Sequence, residues 1–196
     1  MPPQYKCKLS ILGITVNAAK ATSHARPSGE EKWSRPEPRC VKLNVDASFF
    51  PDTCTGAVGT ILRDFQGTFI AASCLFLQHI SSANLAEATT IKEGLSLASM
   101  MGYSNIIAES DSLETVEALT GEYRWWNASA AIFADCVDFV AAIGKVEFKH
   151  CSRKANQTAH EIARFSFLND LSCNWVEEPP GFLLNKLVND VTIVDD

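Results

Sequence analysis

Four polar residues stand where the surrounding pattern does not ask for them. Asp46 interrupts the alternating stretch that begins at Val41, and aspartate is depleted from strands. Glu87 lies one turn into an apolar-periodic run that starts at Ser82. Asp111 follows the short apolar stretch Asn105–Ala108, at the carboxyl end of a predicted strand, where sites of α/β sheets cluster. His160 sits near the start of a further helical pattern. Three carboxylates brought together on one face would suit a site that holds a divalent metal. Each residue also has an ordinary reading. Asp46 fits the solvent side of an edge strand, and Glu87 fits a first-turn glutamate favoured by the helix dipole. Asp111 with Glu114 makes a capping box, and a lone histidine beside an apolar helix face is commonly packed or capping.

The elements that must position these groups follow from periodicity. Arg39 to Phe50 alternates, with Val41, Leu43 and Val45 on one face and Lys42, Asn44 and Asp46 on the other, which predicts a half-buried strand. Ala57–Leu62 and Thr68–Leu77 read as two more strands joined by the turn residues Asp64-Phe65-Gln66-Gly67, giving an antiparallel meander. From Ser82 to Met101, apolar residues recur at helical spacing until Gly102. Ala and Gly94 on this helix leave room for close approach to a sheet. Asn105–Ala108 is then a short buried strand, Ser110 to Glu114 a helix start, and Ala128–Ala142 a second long helix. Lys145–His150 is a fifth strand and Lys154–Phe167 a final helix. The order β-β-β-α-β-α-α-β-α predicts an α/β fold with a mixed five-stranded sheet and helices on its faces.

Composition bounds the function. The 196 residues are 46% hydrophobic, which excludes disorder throughout, and no apolar stretch is long enough for a transmembrane helix. Seven scattered cysteines without a Cys-x-x-Cys pair argue against a disulfide framework or a zinc ribbon and for a reducing compartment. The net charge of −6 is uneven: residues 1–39 carry seven Lys/Arg against three Asp/Glu, and the remainder is strongly acidic. We read 1–39 as a basic, mostly irregular tail, 40–168 as the domain and 169–196 as an acidic extension. The acid-free first 28 residues also suit an organelle transit peptide, so the expected location is intracellular, nuclear or cytoplasmic, with an organelle left open. An acidic domain is a poor non-specific binder of nucleic acid, yet it suits a site for divalent metal.

The four positions combine with the element order into a resemblance. Lys42-Leu-Asn-Val-Asp46-Ala-Ser48, Asn84-Leu-Ala-Glu87, Ala108-Glu-Ser-Asp111-Ser112 and Arg153-x-x-Asn156-x-x-Ala-His160-x-Ile-Ala163-Arg164 resemble the ribonuclease H type 1 fold. More narrowly, they are similar to the plant reverse-transcriptase-like ribonuclease H domains of retroelements and of domesticated host genes. Trp33, Pro38 and Lys42-x-Asn44-x-Asp46 at the start, and Cys173-Asn-Trp175-x-x-x-x-Pro180 at the end, fit that plant subgroup. The resemblance covers about residues 33–190.

The resemblance implies a metal-dependent endonuclease that hydrolyses the RNA strand of RNA–DNA hybrids, and a monomer that stays off membranes. Asp46, Glu87 and Asp111 would be catalytic ligands of two Mg²⁺ ions, one activating a water and the other steadying the leaving 3′ oxygen. Asn84 would reach 2′-hydroxyls in the minor groove, and Ser48 would contact the backbone. Lys149, Arg153 and Lys154, with Arg164, would meet phosphates or form a solvated helix end. Three features depart from the family pattern. His160 stands in the catalytic set where a fourth acid is expected, which implies weak Mg²⁺ activity or a preference for Mn²⁺. The loop carrying a proton-shuttling histidine is not evident near His150, and Gly121-Glu-Tyr-Arg124-Trp125-Trp126 replaces a basic protrusion by a tryptophan pair suited to base stacking or to a core anchor. These departures support an alternative, a catalytically poor nucleic-acid-binding or interaction module of the same fold.

Overall fold

The computed structural model describes residues 32–120 and 129–192. Most of the basic tail and the Trp125–Trp126 pair lie outside the described residues. The chain first lays down β1 (Val41–Phe50), β2 (Thr55–Arg63) and β3 (Phe69–Leu77) as an antiparallel meander, then α1 (Ala83–Met100). β4 (Asn105–Ser110), α2 (Leu113–Thr120), α3 (Ala130–Ile143), β5 (Lys145–His150) and α4 (Gln157–Asn169) follow. A final strand, β6 (Cys173–Val176), a 3₁₀ turn and α5 (Leu184–Thr192) complete the described chain.

The sheet order is β5-β4-β1-β2-β3-β6. β4 pairs parallel with both β1 and β5, and the other pairings are antiparallel. This is the expected mixed α/β sheet, with one correction: it has six strands among the described residues, not five. β6 escapes the sequence pattern because it is four residues long with an alternation of half-buried and exposed positions, too short for a period to register.

A second correction concerns β1. It is a central strand, flanked by β2 and β4, and it is buried on both faces. Leu43 and Val45 pack with Leu95, Ala98, Ile106, Phe133 and Val140 in the core under α1 and α3. Here α1 lies close, because a Cβ on Gly94 would come within 2.8 Å of Val45 Cγ1. The opposite face is covered by α4, whose Ala159 and Ile162 pack with Ile61, Phe69, Ala72 and, from the C-terminal segment, Leu183. Gly59 is a steric requirement of that layer: a side chain there would strike the α4 backbone at Ala159 and Ala163.

Lys42, Asn44 and Asp46 point to the α4 face and are all buried. Lys42 pairs with Glu109 at 2.7 Å, and Asn44 donates to Glu109 Oε2 and accepts from Trp33 Nε1 and Arg63. Among the described residues no helix is long and apolar enough to cross a membrane.

Candidate active site

Asp46 lies mid-strand on the sheet face under α4 and is 3% exposed. Its partner there is His160, one turn into α4, whose Nδ1 lies 2.9 Å from Asp46 Oδ2. Asp46 is therefore not the solvent-facing residue of an edge strand, and His160 is neither packed in the core nor a cap. Glu87 belongs to the second turn of α1. The first turn holds no acid and is capped instead by Ser82, whose Oγ accepts from Leu85 N–H. Asp111 follows the end of β4 directly. It leaves the first free amides of α2 to Ser112, whose Oγ accepts from Thr115 N–H, so the capping box with Glu114 does not form. Glu114 instead accepts from Asn84 Nδ2.

Three elements thus deliver three carboxylates to one open cleft of about 450 Å³, lined by Asp46, Glu87, Asp111, His150, Cys151 and Arg153, among others. The electrostatics follow from crowding. Burial raises the Asp46 carboxyl to about 7, and the Asp111 charge pushes in the same direction against the lowering effect of His160. Burial likewise raises Glu87 to about 8, reinforced by the Asp46 and Asp111 charges and only partly offset by Arg153. Like charges held together in a poorly solvated place favour retained protons. Glu87 Oε2 is also buried without a hydrogen-bond partner.

Among the described residues no three His, Cys, Asp or Glu side chains are already drawn together as an ion cage. The donor set nevertheless fits a divalent cation: hard carboxylate oxygens, mutual repulsion that a cation relieves, and one buried oxygen with nothing to satisfy it. His160 fits less well, since its Nδ1 is engaged with Asp46 and it brings no negative charge.

One contributor was not singled out by sequence reasoning. Asn156, buried just before α4, donates from Nδ2 to Val45 O at 2.8 Å and to Asp111 Oδ1 at 3.3 Å, tying the start of α4 to β1 and to the acid. Its sequence signal is its place in the motif Arg153-x-x-Asn156-x-x-Ala-His160, which assigns it no role.

The expected nucleic-acid-binding residues are placed unevenly. Arg153 borders the cleft, with Nε 3.7 Å from Asp111 Oδ2, and Lys154 is exposed beside it. Lys149 pairs with Glu147 at 3.2 Å, and Arg164 with Glu161 at 3.4 Å. Asn84, at the start of α1, is engaged on both sides of its amide, by Glu114 and by Ser129. Ser48 is half-buried on β1, opposite Ala57 and outside the cleft lining.

Comparison with known proteins agrees with this architecture. RNase H1 from the halophilic archaeon Halobacterium salinarum superposes with a TM-score of 0.62 at 20% identity, covering 67% of this chain and 99% of that one. The N-terminal RNase H domain of a Mycobacterium tuberculosis protein gives 0.62 at 17% identity, covering 66% and 94%. LC11-RNase H1, isolated from compost and solved with an RNA/DNA hybrid, gives 0.61 at 17% identity, covering 66% and 98%. No curated protein matches the sequence significantly. The sequence model of the reverse transcriptase-like family matches residues 44–166, a span running from β1 to the last turn of α4 that contains all three acids, and on that match the chain belongs to the reverse transcriptase-like family, with an RNase H-like fold.

Proposed function

We propose that the protein is a metal-dependent endonuclease that hydrolyses the RNA strand of RNA–DNA hybrids, slowed by histidine at position 160. The observation that carries this reading is the convergence of Asp46, Glu87 and Asp111 from three separate elements on one open cleft. The substrate class is supported by the fold relative solved with an RNA/DNA hybrid. The narrower assignment to plant, retroelement-derived domains rests on the resemblance of the four motifs, together with the Trp33 start and the Cys173–Pro180 end.

Asp46, Glu87 and Asp111 would hold Mg²⁺ or Mn²⁺. Bound there, the ions supply an activated water and charge neutralisation at the leaving oxygen. The chain's own part is orientation. Asn156 ties Asp111 to Val45 of β1, and Arg153 on the rim of the cleft would meet a phosphate oxygen. Asn84 would reach 2′-hydroxyls in the minor groove, and Ser48, Lys149 and Lys154 would contact the hybrid backbone. His160 holds Asp46 Oδ2 and so competes for a carboxylate oxygen that a cation would use.

That same contact favours the second reading, a hybrid-binding module with little catalysis. The two are separated by incubating the full chain with an end-labelled hybrid in Mg²⁺ or Mn²⁺ and following both cleavage and gel retention. The enzyme reading expects shortened RNA, faster with Mn²⁺. Retention of intact hybrid by folded protein with either ion supports the binder, and neither product nor retention contradicts both.

A further inference from the structure

The register of the last strand brings together two side chains that the cleft does not use. β6 pairs antiparallel with β3 so that Cys74 stands directly opposite Cys173. The two Sγ atoms are 3.5 Å apart. Directly opposed residues of an antiparallel pair have Cα atoms about 4.5–5.5 Å apart, inside the span a disulfide bridges. Rotation about the two Cα–Cβ bonds is then the main adjustment needed to close the sulfurs to bonding distance.

We propose that Cys74 and Cys173 form a disulfide at the expense of a small-molecule disulfide such as oxidised glutathione, fastening the C-terminal segment to the sheet. The segment has reason to be fastened. β6 is an edge strand of four residues, yet the chain beyond it supplies fully buried Leu183 to the core and Asp190 to the buried guanidinium of Arg63. If β6 peels away, that charge loses its counter-ion. The bond would close a span of 99 residues, the kind of long loop for which a cross-link constrains the unfolded chain most.

The exchange balances in two steps. The thiolate of half-buried Cys173 attacks one sulfur of the oxidant, breaking its S–S bond and releasing one reduced glutathione. The Cys74 thiolate then attacks Cys173 Sγ in the mixed disulfide and expels the second. The protein dithiol gives up two electrons and two protons, and one oxidised glutathione becomes two reduced ones. Burial and the neighbouring Cys74 push the Cys173 thiol up to about 12, so its thiolate is scarce at neutral pH and exchange accelerates with rising pH.

The inference is independent of hydrolytic activity and is tested without it. The full chain, freed of reductant, is equilibrated with excess oxidised glutathione at mildly alkaline pH, alkylated and digested for peptide mapping. The expected result is a cross-linked Cys74–Cys173 peptide, reversed by reductant and lost in Cys173→Ser, with a Tm for the oxidised protein higher by about 5–10 °C. Exposed Cys54 serves as the reaction control through its glutathione adduct. Two fully alkylated thiols at 74 and 173 while Cys54 is modified would overturn the proposal. So would a stable glutathione adduct on Cys173 that Cys74 never resolves, or a cross-linked form that melts no higher than the reduced one. Should Cys173→Ser fold poorly, mapping and melting of the wild-type chain decide alone.

Discussion

Two polar clusters built around successive same-face residues of β1 treat charge in opposite ways. Lys42, Asn44 and Asp46 are successive same-face residues of β1, and Glu109 precedes Asp111 by the same two-residue step. At the Lys42–Asn44 end, unlike charges meet and close. Lys42 pairs with Glu109, Arg63 with Asp190 at 2.6 Å, and Trp33 lies 3.7 Å from the Arg63 guanidinium while donating to Asn44. Thr158 of α4 adds a hydrogen bond to Asp190. At the Asp46 end, like charges meet and stay open. Asp46, Glu87 and Asp111 repel one another around a cleft, and a buried oxygen is left without a partner. A network of oppositely charged buried pairs rigidifies a fold, although Arg63 Nε itself finds no acceptor. A crowd of like charges invites a ligand. α4 spans both regions, holding Asp190 through Thr158 and Asp46 through His160.

The largest effect belongs to the closed end. Asp190→Ala strips the counter-ion from fully buried Arg63 and should cost about 3–5 kcal/mol of stability, measured as a lower midpoint in urea. A loss under about 1 kcal/mol would mean that solvent already reaches the guanidinium, and the contrast between the two ends would fail.

The open end should behave in the reverse sense. The carboxyls of Asp46 and Glu87 hold their protons to about 7 and 8 in the folded chain, against about 4 when unfolded. Their contribution to stability is thus complete below pH 4 and is lost as pH rises through 7 to 8. Without divalent ions, Glu87→Gln should leave the protein at pH 8 more stable than wild type by about 1–2 kcal/mol, allowing for screening of a half-buried group. The gap should shrink toward pH 5, and Mg²⁺ should stabilise wild type more than the variant at pH 8. Thermal melts across this range provide the check. Equal slopes for the two proteins would remove the repulsion from the account.

His160→Asp extends the open cluster by one acid. It should raise Mg²⁺-dependent cleavage about tenfold, a change of about 1.4 kcal/mol in the barrier, and narrow the advantage of Mn²⁺. Unchanged rates in single-turnover assays would make position 160 a bystander. The smallest effect is expected outside both clusters. Arg164 and Glu161 are solvated, so Arg164→Ala should shift stability by no more than about 0.5 kcal/mol.

How much of this was legible depended on how far apart in the sequence the partners lie. The alternation of β1 and the helical spacing of α1 are local, and they placed Asp46 and Glu87 on the right elements. Asp111 was legible because a strand end followed by a helix start marks a site in α/β sheets. The central position of β1 was not, because its flanking pairings with β2 and β4 are decided by chain reversal and a crossover rather than by its own residues. Arg63 and Asp190 are 127 positions apart, and nothing near either announces the other. Asn156 carries no hydrophobic signal at all. Its role exists only once the start of α4 lies against β1.

The central claim is that the open cluster holds metal and cleaves. It is tested most directly by comparing wild type with Asp46→Asn on an end-labelled RNA–DNA hybrid in Mg²⁺ and, separately, in Mn²⁺. The account predicts RNA cleavage by wild type that falls by about 100-fold or more in the variant, while the variant stays folded and melts no lower than wild type in the absence of metal. Folded wild type that leaves the hybrid intact with both ions, or cleavage that survives the substitution, would contradict it.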